Sequence, residues 1–168
     1  MERDASWSDG GISPLSLLCR PATVAWAETP FVDFPSGSSG ARVKASRDET
    51  KLRFLVRAPH DWEAVSIFLD PVGDREAYFE IGVTARNAVF SRAARRSRSG
   101  TKIDASWPCD QFESSVSAGA EGWDVVMSIP FASLGSIPPG PGWRVAFEQG
   151  AQDAFRPPRR FFPLDFGA

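Results

Sequence analysis

Ala64-Val65-Ser66-Ile67-Phe68-Leu69-Asp70 is followed by Pro71-Val72-Gly73-Asp74 and then by Tyr78-Phe79-Glu80-Ile81-Gly82-Val83, and these residues decide the fold. Val65, Ile67 and Leu69 fall on one side of an extended chain, with Ser66, Phe68 and Asp70 on the other, a period of two that reads as a strand. Pro71 and Gly73 turn the chain, and the second run returns along the first as a hairpin with a short loop. Upstream, Leu52-Arg53-Phe54-Leu55-Val56-Arg57 repeats the alternation, and Ala41-Arg42-Val43-Lys44-Ala45 precedes it across the polar turn Arg47-Asp48-Glu49-Thr50. Residues 23–27 are a first-strand candidate closed by Pro30, and residues 31–40 read as a loop around Pro35 and Ser36-Gly37-Ser38-Ser39-Gly40.

Downstream, residues 87–91 read as a strand and residues 92–102, basic and rich in Ser and Gly, as a loop. Residues 113–118 alternate weakly. Trp123-Asp124-Val125-Val126-Met127-Ser128-Ile129 is a strand ending at Pro130, and a single helical turn near 131–135 stops at Gly135. After Pro138-Pro139-Gly140-Pro141-Gly142, Trp143-Arg144-Val145-Ala146-Phe147-Glu148 is the last clear strand. No segment sustains a helical period for three turns. The expectation is all-β: one antiparallel β-sandwich of about ten short strands, immunoglobulin-like or jelly-roll-like, over residues 20–168, with residues 1–19 as an arm.

Composition supports one globular domain. The 168 residues suffice for a core without staples, and 42% hydrophobic against 24% charged residues is ordinary. A net charge of −2 gives no field that would steer the chain to nucleic acid or membrane. Two cysteines, Cys19 and Cys109, are too few for a sulfur-stapled scaffold and read as buried free thiols. The stretch Ile12 to Cys19 is broken by Ser13, Pro14 and Ser16, so no signal peptide is visible and the chain as given reads as cytoplasmic.

Three segments in order resemble the family 9 carbohydrate-binding modules and the wider DOMON-like group. They are Trp62-Glu63-Ala64-Val65-Ser66-Ile67-Phe68-Leu69-Asp70-Pro71 with Tyr78-Phe79-Glu80-Ile81; Gly122 through Gly135, with its Ile129-Pro130-Phe131 core; and Gly142-Trp143-Arg144-Val145-Ala146-Phe147. The resemblance implies a non-catalytic domain that binds a mono- or oligosaccharide and is associated with glycoside hydrolases. Modules of that family are often extracellular. Its physics is simple: the apolar C–H face of a pyranose stacks on an aromatic ring, while carboxylate, amide and guanidinium groups bond the hydroxyls.

Carried over by position, Trp62 becomes an open indole platform, which could be truncated without loss of the fold. Phe155 becomes the second ring of a clamp, and Gln152 and Asp153 become polar sugar contacts. Ser66 stands where the family has a Glu and Glu80 where it has an Arg, so two expected contacts are altered in kind. Trp123 and Trp143 are expected to pack in the core or at its rim. The departures at Ser66 and Glu80 favour an alternative, an accessory or protein-interaction domain that kept the scaffold and lost the sugar site.

A second alternative, a hydrolase of O-glycosyl bonds, would draw its carboxylates from Asp70, Glu80 and Glu148. No cofactor is expected. Asp70, Asp74 and Glu76 around the hairpin are the candidates for a structural calcium site, and His60 with Met127 the poor candidates for haem. Arg92, Arg95, Arg96, Arg98 and Lys102 in the presumed basic loop could meet a partner protein. They lack the aromatic interleaving that nucleic acid would require.

Overall fold

A computed structural model describes residues 16–34, 40–158 and 160–167. Twelve strands fill these segments: β1 (Leu17–Pro21), β2 (Val32–Phe34), β3 (Ala41–Arg47), β4 (Lys51–Ala58), β5 (Ala64–Asp70), β6 (Ala77–Thr84), β7 (Val89–Ser97), β8 (Gly100–Asp104), β9 (Glu113–Ala118), β10 (Trp123–Pro130), β11 (Arg144–Gln149) and β12 (Phe162–Asp165). The expected helical turn is the 3₁₀ turn Phe131–Leu134, and a second occupies Trp26–Glu28.

The all-β expectation holds, but the two-sheet sandwich needs correcting. Hydrogen bonding runs through one curled sheet in the order β8-β7-β6-β5-β11-β12-β1-β3-β4-β10-β9, with β2 on β3. The joint is β1. Its first residues lie parallel to β12 (Leu17 opposite Leu164) and its last parallel to β3 (Cys19 opposite Ala45, Pro21 opposite Arg47). One short strand thus satisfies the edges of both halves, which would otherwise expose unpaired backbone groups. No helix among the described residues is long and apolar enough to cross a membrane.

The core sits in the hollow of the curl. Leu52, Phe54, Val56 and Ala58 of β4 point inward, directly opposite Ile129, Met127, Val125 and Trp123 of β10. Val65, Ile67 and Leu69 come from β5, and Val145 and Phe147 from β11. Phe34 knits the halves together, meeting Phe147 and Phe162 edge-on with ring centroids 4.9 Å apart in each case. Trp123 and Trp143 are buried, as expected of packing residues.

Three local expectations fail. Residues 23–27 form a turn and the start of the 3₁₀ turn, and the first strand, β1, lies earlier, inside the stretch read as an arm; residues 1–15 lie outside the described residues. β1 gives only two inward residues, Leu17 and Cys19, too few to show a period. Within the presumed loop 31–40, Val32–Phe34 is a strand and residues 35–39 lie outside the described residues. The presumed basic loop 92–102 is most of the β7–β8 hairpin. Arg95 and Arg96 occupy exposed strand positions and mask the alternation, Arg98 lies in the turn, and Arg92 points inward.

Both cysteine thiols are free. Burial pushes Cys19 up to about 12, Arg47 opposing, and Cys109 up to about 11.

Candidate functional site

β5 is buried on both faces. Its even-numbered residues, Ser66, Phe68 and Asp70, point away from the main core, and pairing aligns them with β6 and β7: Ser66–Gly82–Phe90 and Phe68–Glu80–Arg92 form successive rows. The chain leaving β11 folds back over this outer face. Phe68, Tyr78, Ala94, Ala146 and Phe161 form a second apolar cluster there, with Phe155 packed against it. The phenolic hydroxyl of Tyr78 is pushed up by burial and then by the nearby Glu80, Arg96 opposing.

Between the sheet and the returning chain lies a buried polar relay. Ser66 Oγ donates to Glu80 Oε2 at 2.6 Å, and Arg92 Nη1 donates to Glu80 Oε1 at 2.7 Å. The side chains of Arg92 and Glu80 are only 7% and 3% exposed. Arg92 Nη2 then donates to the backbone carbonyls of Ala151 (3.0 Å) and Gln152 (2.6 Å). A buried charge needs a partner and further hydrogen bonds, and here that requirement fixes the path of residues 150–152. Gly150 makes the approach possible: its N–H donates to Ala64 O at 2.9 Å, and a Cβ at this position would strike Ser66 Oγ.

The anchored segment presents Gln152 and Asp153 to solvent as a ridge between two clefts. One, about 1000 Å³, is lined by His60, Trp62, Glu63, Arg86 and Arg156 among others. The second, about 660 Å³, lies toward β7 and holds Val89, Phe90, Ile103 and Phe155. Both are within the size range of small-ligand sites.

The structure redistributes the expected roles. Gln152 and Asp153 are exposed at the clefts. Trp62 is 4% exposed and belongs to the main core, where its carbonyl accepts from Trp123 Nε1 at 3.1 Å, so it is a cleft wall and not an open platform. Phe155 is half-buried against Phe68 and Tyr78 on the outer face. Trp62 belongs to the main core and lines the first cleft, whereas Phe155 packs on the outer cluster and lines the second, so neither cleft holds both rings as a clamp. Ser66 and Glu80, 0% and 2% exposed, do not reach solvent and act by holding the segment. Sequence reasoning read Arg92 as part of a basic partner-facing loop and gave Phe90 no place in the site. Their signal was the alternation Phe90, Arg92, Ala94 next to Gly82, an aromatic beside a strand glycine.

The other candidates are placed elsewhere. Asp70 accepts from the backbone N–H groups of Gly73 (2.8 Å) and Arg75 (2.7 Å), shaping the β5–β6 hairpin. Burial pushes its carboxyl above the usual range and these bonds oppose the shift. Asp74 accepts from Glu76 N–H at 2.9 Å, and no three metal-ligating side chains gather among the described residues. Met127 is fully buried opposite Phe54, while His60 is exposed beside Ala120 O.

No family model and no curated protein sequence matches the chain. Solved structures do match. A family 9 carbohydrate-binding module from Caldicellulosiruptor kristjanssonii in complex with glucose aligns with TM-score 0.54 and 15% identity, covering 79% of this chain and 76% of that one. The cellotriose complex from the same organism gives 0.56 and 15%, covering 79% and 75%. A "putative carbohydrate-binding protein" from Bacteroides uniformis gives 0.55 and 15%, covering 90% of this chain and 99% of that one. The chain therefore has a fold like that of the family 9 carbohydrate-binding modules.

Proposed function

We propose that this is a non-catalytic carbohydrate-binding domain that holds a neutral mono- or oligosaccharide against the segment following β11. The observation that carries the reading is the Arg92 anchor. It fixes the backbone at Ala151 and Gln152, so that an amide and a carboxylate stand ready at two ligand-sized clefts. A backbone held in this way suits sugar recognition by the side chains it carries, because less of the segment remains to be ordered on binding. The fold adds support, since structural neighbours are family 9 modules in complex with glucose and cellotriose. Glu80 and Asp70 are buried and committed to structural bonds, which speaks against hydrolysis by these carboxylates. In this reading the domain would serve a glycoside hydrolase by holding it near its polysaccharide. The exposed Arg95, Arg96, Arg98 and Lys102 of the β7–β8 hairpin offer a surface for an acidic partner.

The test is calorimetric titration with glucose, cellobiose and xylo-oligosaccharides, with Gln152→Ala and Asp153→Ala as comparisons. Saturable heat that weakens in both variants supports the reading, and silence across the panel counts against it. The burial of Trp62 favours a second reading, a scaffold kept without its sugar site, which predicts that silence.

A further inference from the structure

We infer that the saccharide lies in the cleft beside β7, with Phe90 as its stacking ring and Phe155 as the opposing wall, and that this cleft selects neutral sugars over uronic acids. The inference rests on the carbohydrate-binding reading and assigns its position and ligand class. Phe90 is partly exposed, in contrast to Trp62. Its ring is held from two sides. The ring end occupies the space a side chain at Gly82 would need, and the Arg92 guanidinium carbon lies 5.0 Å from its centroid. A ring held in this way offers a platform with little rotamer entropy left to lose. Phe155 lines the same cleft, steadied by Phe68 and Tyr78 at 6.4 Å each. Gln152 and Asp153 stand at its edge, within reach of hydroxyls on a stacked ring.

The charges decide the ligand class. Arg92 is the only cation among the described residues lining this cleft, and its guanidinium already bonds Glu80 and two backbone carbonyls. A ligand carboxylate would find no free cation among the described residues there and would face Asp153. The larger cleft, with Arg86 and Arg156, has cations to offer, so the two clefts make opposite predictions.

The experiment is calorimetry of the whole chain with cellobiose, glucose and glucuronate, using Phe90→Leu, Phe90→Trp, Phe155→Leu and the pair Arg86→Ala/Arg156→Ala. Thermal unfolding checks that each variant folds. Expected are a loss of about tenfold in cellobiose affinity in Phe90→Leu, the size of one aromatic stack, retention in Phe90→Trp, and weaker binding of glucuronate than of glucose. Cellobiose binding that is untouched in Phe90→Leu and Phe155→Leu but lost in the arginine pair overturns this assignment and leaves the carbohydrate reading standing. So does glucuronate binding as tightly as glucose. No heat with any neutral saccharide overturns both.

Discussion

Replacing Arg92 by Met removes the positive member of the buried relay while keeping most of its volume. Glu80 would be left at 3% side-chain exposure with Ser66 Oγ as its remaining hydrogen-bond donor among those described above, and the carbonyls of Ala151 and Gln152 would lose their donor. Breaking a buried ion pair on one side costs about 3–5 kcal/mol, a range that includes the uncompensated charge. The domain should survive, since small domains hold about 5–15 kcal/mol, but its urea midpoint should fall sharply. The expectation for Arg92→Met is therefore a loss of roughly 4 kcal/mol, read from the fluorescence of the buried Trp123 and Trp143. The double variant Arg92→Met/Glu80→Gln removes the stranded charge and should recover about 2 kcal/mol or more of that loss, a coupling within the range for contacting residues. A cost below about 1 kcal/mol for Arg92→Met, the level of an exposed pair, would refute the reasoning. So would strict additivity of the two substitutions.

Gly150→Ala should cost about 1–3 kcal/mol, the usual penalty for overpacking, and should weaken saccharide binding, because the new Cβ pushes the ridge away from Ser66; equal affinity and equal urea midpoint would contradict this. Trp62→Ala should cost about 3–5 kcal/mol as a core truncation, measured by chemical denaturation, whereas an open platform would be removed almost without cost. Cys19 and Cys109, with thiols pushed up to about 12 and about 11, should resist iodoacetamide near pH 8 and react once urea is added. Mass spectrometry of the two samples decides.

The strands legible in the sequence are those with one face in the core and one in solvent. β4 and β10 show this plainly, since Leu52, Phe54 and Val56 alternate with Arg53, Leu55 and Arg57 and pair in register with β10. β1 was illegible because five residues joining two halves carry too short a pattern, and β7 because arginines fill its exposed positions while Arg92 serves a buried one. At the candidate site, Gln152 and Asp153 were expected from their place in the chain, and they stand exposed at the two clefts. The fate of Trp62 was not: an indole ahead of an acidic strand reads the same whether it is open or packed, and only the position of Trp123 beside it decides. Ser66 and Glu80 looked like damaged sugar contacts, but each is satisfied by a residue far along the chain. Pairing across strands and not local pattern determines their role.

Amide chemical-shift mapping during a cellobiose titration tests the central claim most directly. The account predicts saturable shifts confined to Gln152, Asp153, Ala154 and Phe155 and to the neighbouring Val89 and Phe90. An unchanged spectrum, or shifts gathered at the far end of the sheet around Arg47, Gly140 and Phe166, would contradict it.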